Sequence, residues 1–230
     1  LKRAELIRTR RVRRPPNFVE RAPQVEASEP NDVWTIDFKG WWLTRDGQRA
    51  NPLTVRDAFS RFVLAVQLVP ATTSEVMGVL WSLFKKHGVP SAIQCDNGVP
   101  FVSVRSVGGL SQVSAWLMSL GITVVRSRLG SPQDNGGHER MHRDIWNEVE
   151  RVAADDIPAQ QRALDKWRQT FNRVRPHEAL GKKTPAEVYR PKERRRAAAR
   201  AYIYPLGFSC CRVSTNGNVR FDGSAYFLSM

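Results

Sequence analysis

The chain has 230 residues, 36 Lys and Arg against 22 Asp and Glu, a formal net charge of +14, 41% apolar residues and seven Trp. That length holds one full-sized domain with a small companion, the apolar fraction excludes a disordered chain, and the basic excess points to a polyanionic partner. The three cysteines, Cys95, Cys210 and Cys211, offer neither a disulfide framework nor a thiolate metal site, and no apolar run reaches the roughly 18 residues of a membrane span, so a cytoplasmic protein without a membrane partner is expected.

Residues 1–30 combine Pro15, Pro16, Pro23 and Pro30 with Arg and Glu and show no periodicity, which reads as a basic arm or linker; residues 1–14 alone hold seven basic side chains and one acid. From Val33 the pattern changes. Residues 33–38, 51–57 and 61–69 are β-rich runs joined by short turns, which predicts an antiparallel meander with Asp37 inside its first strand. A helix follows from Thr73 or Ser74 to about His87, with Val76, Val79, Leu80, Leu83 and Phe84 on one face, and Gly88 and Pro90 end it. Residues 92–96 form a strand too apolar for a sheet edge, stopping at Asp96-Asn97-Gly98. After a loop over 99–109, residues 110–120 are helical and 122–125 form another buried strand. Alternating strands and helices imply parallel pairing with right-handed crossovers added to the meander. The expected fold is therefore α/β: a mixed five-stranded sheet flanked by helices on both faces.

Asn135-Gly136-Gly137 breaks regular structure, and the spacing of Met141, Ile145, Val149 and Val152 then predicts an amphipathic helix starting near Gly136. Glu139, His142, Arg143, Trp146 and Glu150 lie away from its apolar stripe, so Glu139 is offered to a cleft. Residues 159–171 continue helically as far as Arg175-Pro176-His177, and Thr184-Pro185-Ala186-Glu187 is a capping box that opens a short helix. Beyond the core assigned to 31–191 come a basic linker, 192–204, and a small β module, 205–230, with strands over 208–214, 219–221 and 225–228, which reads as cut short.

If the strands bearing Asp37 and Asp96 pair in parallel, their carboxylates meet at one sheet edge and Glu139 arrives from the helix above. An oxygen-only set of three carboxylates favours two Mg²⁺ or Mn²⁺ ions, the arrangement that supports in-line displacement at phosphorus. Arg126, Arg128, Arg140 and Arg143 surround the region and suit phosphate; His142 and Arg143 are expected to face DNA, with His138 peripheral. Asn135 and Gly136 read equally as loop punctuation or as DNA contacts. Asp57 reads as the partner of Ser60 in a turn rather than as a fourth ligand, and Trp34, Trp41 and Trp42 as sheet packing.

Five motifs in order carry a resemblance: Trp34-Thr35-Ile36-Asp37, Asp57-x-x-Ser60-Arg61, Asp96-Asn97-Gly98, Pro132-x-x-Asn135-Gly136-x-x-Glu139-Arg140, and Arg175-Pro176-His177-x-Ala179-Leu180-Gly181-x-x-Thr184-Pro185-Ala186. Together they resemble the integrase core of bacterial insertion-sequence transposases, kin to retroviral integrases. The resemblance implies an RNase H-like fold, two divalent metals on Asp37, Asp96 and Glu139, DNA as substrate and a homo-oligomer when assembled on it. It also implies 3′-end nicking of an element, followed by transfer of the freed 3′-hydroxyl to target DNA. Two features depart from the family pattern. The 42 residues between Asp96 and Glu139 exceed the usual gap, with the excess placed in 99–109, and nothing in residues 1–30 resembles the helix-turn-helix units that such transposases normally carry before the core. Two other classes compete: a catalytically silent DNA-binding or assembly protein of the same fold, and a zinc peptidase suggested by His138-Glu139-Arg140-Met141-His142, which matches H-E-x-x-H.

Overall fold

A computed structural model describes residues 26–103, 110–127 and 136–191 and, towards the C-terminus, 207, 211, 213, 214 and 216–227. The basic runs at 1–14 and 192–200, together with Arg128 and Asn135, lie outside the described residues, as does most of the strand expected over 208–214.

Five strands make the main sheet: β1 (Val33–Phe38), β4 (Pro52–Asp57), β5 (Val63–Leu68), β6 (Ala92–Cys95) and β7 (Thr123–Arg126), in the order β5-β4-β1-β6-β7. Strands β5, β4 and β1 are antiparallel neighbours, whereas β1, β6 and β7 run parallel, so the sheet is mixed as the pattern of elements predicts. A two-residue pair, β2 (Trp42–Leu43) with β3 (Arg49–Ala50), forms a separate ribbon around Asp46-Gly47, and β8 (Asn218–Phe221) pairs with β9 (Ser224–Phe227).

Side-chain alternation sorts each strand between two cores. Trp34 and Ile36 of β1, Leu53 and Val55 of β4, and Ile93 and Cys95 of β6 pack with α1 (Thr73–His87) and α2 (Gln112–Ser119). On the other face Val63 and Val66 pack with Met141, Ile145 and Val149 of α3 (Gly136–Glu148) and its continuation, and with Leu164, Trp167 and Phe171 of α4 (Ile157–Arg173). Helix starts are capped as their sequences dictate. Thr72 accepts from Glu75 N at the start of α1, Ser111 and Ser114 form a capping box on α2, and Asp156 accepts from Ala159 N at α4. Thr184 and Glu187 do the same for α5 (Pro185–Val188).

Strand β5 would be an exposed sheet edge, and α4 closes it with side chains spaced along one face. Gln161 accepts from Leu68 N at 2.8 Å and donates to Val66 O at 2.9 Å; Asn172 accepts from Val63 N at 2.8 Å and donates to Val63 O at 2.9 Å. Between them Arg168 donates to Leu64 O. Amide side chains thus stand in for a missing sixth strand, which blocks edge-to-edge pairing.

Two expectations are corrected here. Strand β7 is not buried: it is the opposite edge of the sheet, and only Ile122, just before it, is fully enclosed. Val152 leaves the apolar stripe because α3 ends at Glu148 and a 3-10 turn over Glu150–Val152 swings it into solvent.

Candidate active site

The parallel register pairs Ile36 with Cys95, so Asp37 and Asp96 occupy the next positions at the C-terminal ends of adjacent central strands. Both lie close enough to the Cys95 thiol to push its pKa up, after burial, to about 12. Asp96 accepts from Gly98 N at 3.0 Å, closing the turn at Asn97-Gly98; a Cβ on Gly98 would sit 2.9 Å from its Oδ2, so only glycine leaves the carboxylate that room. The turn is tied to β7 by Asn97 Nδ2, which donates to Ser127 O at 2.6 Å, and by Ser127 N, which donates to Cys95 O at 3.0 Å.

Glu139 is exposed in the first turn of α3, and that helix is fastened to the Asp37 strand by a polar bridge. Thr54 of β4 is the register partner of Asp37. Its hydroxyl donates to Asp37 O at 2.9 Å and lies 2.9 Å from His142 Nε2, one turn beyond Glu139. A hydroxyl has one proton, and here it goes to the carbonyl; the imidazole must therefore be the donor to Thr54, in its Nε2–H form. Burial, then the charges of Lys39 and Arg56, lowers the His142 pKa to about 3, so the ring is neutral. Lys39, two residues beyond Asp37, is held by Glu150 and lies over the Trp42 ring at 5.1 Å.

As the side chains stand, no three Asp, Glu, His or Cys residues among those described are gathered closely enough to hold a metal ion. The donor set nevertheless fits a hard cation: two carboxylates on neighbouring strand ends, a third on an exposed first-turn position, and the Cys95 sulfur turned into the opposite core. The H-E-x-x-H stretch is built otherwise. His138, expected at the periphery, is fully buried, stacks edge-on with His142 at 5.3 Å and lies close to the Arg56 guanidinium, while His142 Nε2 is committed to Thr54. Burial follows from its position on α3 facing β4, one residue from the exposed Glu139.

Of the basic residues singled out by sequence, Arg140 and Arg143 are exposed on α3, Gly136 is exposed at its start, and the His142 ring is engaged inside the fold. Arg175 pairs with Asp144 and Glu148. Asp57 is fully buried and accepts from Asn31 N, Ser60 N and Ser60 Oγ, the turn-holding role expected of it. Trp34 and Trp42 pack as expected; Trp41 instead lies largely in solvent beneath Arg49, 4.4 Å from its ring centre. Sequence reasoning missed Thr54 and Arg56. A hydroxyl and a cation at alternate positions of an otherwise apolar strand were the available signal, since both must leave on the face that α3 covers.

Residues 27–132 and 120–185 match two family models, each described as an integrase core domain. A protein of insertion element IS407 from Burkholderia multivorans is 29% identical over 199 residues, covering 86% of this chain and 69% of that protein. One of IS476 from Xanthomonas euvesicatoria is 28% identical over 180 residues, covering 77% of this chain but 49% of the relative, so the chain spans about half its length. Both relatives are described as uncharacterized. Among solved structures, the catalytic core of HTLV-2 integrase, in complex with magnesium and in a trimeric form, superposes with a TM-score of 0.56 at 20% identity over 72% of this chain and all of that one. At that identity the likeness is one of fold.

Proposed function

The chain belongs to the integrase core domain family and has its RNase H-like fold, and from that premise we propose that it is a metal-dependent DNA transposase acting at the ends of an insertion element. The observation that supports this reading is that Asp37 and Asp96 follow a register pair of adjacent parallel strands, with Thr54 linking the Asp37 strand to His142 on the helix that bears Glu139. Those three carboxylates would hold two Mg²⁺ or Mn²⁺ ions, which supply activation of an attacking oxygen and charge neutralisation at the leaving one. The structurally similar HTLV-2 integrase core is described in complex with magnesium, which supports divalent-metal use here.

The reaction needs two in-line displacements and no covalent enzyme intermediate. In the first, a water oxygen bonds to phosphorus at the element end, the bond to the 3′-oxygen breaks, and that oxygen leaves with a proton as a 3′-hydroxyl. In the second, the 3′-hydroxyl attacks a target phosphodiester, gives up its proton, and displaces the target's own 3′-oxygen. Asp37 and Asp96 set the position of the reacting phosphate through strand geometry, and the Thr54–His142 bridge sets the position of Glu139 against them. Arg140 and Arg143, exposed on the same helix, are placed to hold the DNA backbone, with Arg128, Asn135 and Gly136 completing the proposed contact set.

The core is assigned to 31–191, flanked by the basic arm 1–30, the linker 192–204 and the β module 205–230. Two DNA ends have to be joined, so the acting form is a homo-oligomer, working on DNA in the cytoplasm. No described helix is long and apolar enough to cross a membrane. The test is a nicking and strand-transfer assay on element-end DNA with Mg²⁺ or Mn²⁺. Cleavage is expected from the natural chain and from neither Asp96→Asn nor Glu139→Gln; equal activity in all three would overturn the reading, and DNA binding without cleavage would leave a DNA-binding protein of the same fold.

A further inference from the structure

Arg56 is a buried cation without a counter-ion among the described residues. It leaves β4 on the face that α3 covers, is 8% exposed, and among the described residues has no carboxylate within ion-pair distance; its Nε makes no hydrogen bond. The nearest acid by charge, Asp57, leaves the strand on the opposite face and is already saturated by Asn31 and Ser60. The guanidinium presses against the first turn of α3. A Cβ on Gly137 would fall 2.6 Å from Arg56 Cζ and closer still to both terminal nitrogens, so glycine there is what admits the arginine.

That turn is where backbone N–H groups lack intrahelical partners and the helix dipole is positive. Further basic groups, Arg61 and His177 among them, lie within electrostatic reach of Arg56. His177 feels the charges of Arg61, Arg175, Arg56 and Arg140, and its Nε2 is buried without a partner. Arg175 is neutralised by Asp144 and Glu148, but Arg61 and Arg140 have no ion-pair partner among the described residues; the acid nearest Arg140 by charge, Asp144, is held by Arg175. Three guanidinium groups without an ion-pair partner among the described residues, from β4, the turn after it and α3, therefore act on the His177 ring, and one of them, Arg56, lies against the first turn of α3. Burying a cation without an anion is costly, and a purely structural arginine would be given a carboxylate.

We propose that Arg56, Arg61, Arg140, His177 and the opening amides of α3 form a phosphate-binding site, whose ligand is a backbone phosphate of the DNA carried past the adjacent Glu139. Guanidinium groups and helix N-termini both match a tetrahedral oxyanion, and a neutral imidazole in its Nε2–H form adds a third kind of donor. The inference rests on DNA being the substrate but not on strand transfer occurring.

The test is binding of a labelled random-sequence duplex to the full chain without divalent metal, across a range of salt. Arg61→Gln and Arg140→Gln should each weaken binding roughly ten-fold, and because the slope of log K against log salt counts phosphates neutralised, the double variant should lower that slope by about 1, not about 2. Arg162→Gln, exposed on α4, should leave it unchanged. Arg56→Gln should behave like the double variant; where it fails to fold, Arg61→Gln and Arg140→Gln still decide. In a second arm, inorganic phosphate should raise the melting temperature of the natural chain more than that of the double variant. A wild-type slope in the double variant overturns the proposal, as does loss of phosphate stabilisation with unchanged DNA binding, which would mark a site for free phosphate. Neither arm reads catalysis, so a failed nicking assay with these slopes intact would sink the transposase reading alone.

Discussion

Replacing Thr54 with valine removes one oxygen from the bridge between Asp37 and His142 and little else. The residue is fully buried, and valine keeps its volume and β-branching, so packing is nearly conserved. Two groups lose their partner: the Asp37 carbonyl and the His142 Nε2–H, each 2.9 Å from the hydroxyl. A buried polar group left unsatisfied costs about 1–3 kcal/mol, so the pair should cost about 3 kcal/mol, with the carbonyl's remaining strand contacts trimming its share. At roughly 2–4 °C per kcal/mol for a chain of this size, the melting temperature should fall by about 6–12 °C. Urea unfolding of Thr54→Val, His142→Leu and the double variant forms a cycle, and removing both partners should recover about 1–2 kcal/mol relative to the sum of the single changes. Glu139 stands one turn from His142, so Mn²⁺ binding by calorimetry should weaken roughly ten-fold in Thr54→Val, the scale of lost outer-shell support. Additive single changes, or a Thr54→Val protein within about 0.3 kcal/mol of the natural one, would refute the bridge.

Gly137→Ala should destabilise the chain by about 1–3 kcal/mol in urea unfolding because its Cβ displaces the buried Arg56 guanidinium. Gly136→Ala, with open space around its Cβ, should instead gain up to about 1 kcal/mol of helix propensity. Asn172→Leu strands the Val63 amide and carbonyl; a loss of about 2–3 kcal/mol is expected, with concentration-dependent light scattering as β5 becomes a free edge. Mild acid alone should weaken the fold. Burial lowers the pKa of His87 to about 4 and that of His142 to about 3, both from 6.5, and holds His138 well below that ordinary value too. The unfolded chain therefore takes up protons that the folded one refuses, so stability is whole above pH 6.5 and drains as pH falls towards 4 and then 3. At pH 5 each histidine should cost up to about 2 kcal/mol, which urea midpoints at pH 7.5 and 5 would measure; a flat profile would contradict the buried neutral rings.

Much of the architecture was legible in the chain itself, because periodicity encodes both an element and its buried face. Val76, Leu80, Leu83 and Phe84 point into the core at the spacing that marks α1, and Asp37 and Asp96 stand at the ends of apolar runs that become neighbouring strands. The limits of local pattern show at Val152 and β7, where a helix stop and a place at the sheet edge undo an apolar reading. Which polar group meets which was decided only by docking. Thr54 and His142 are 88 residues apart, and Gln161 and Asn172 find β5 across about a hundred. Arg56 becomes a buried charge with no ion-pair partner among the described residues because α3 settles over it with a glycine at the point of contact. Side-chain chemistry is written residue by residue, but desolvation and partnership are properties of the packed faces, and those exist only once distant segments have come together.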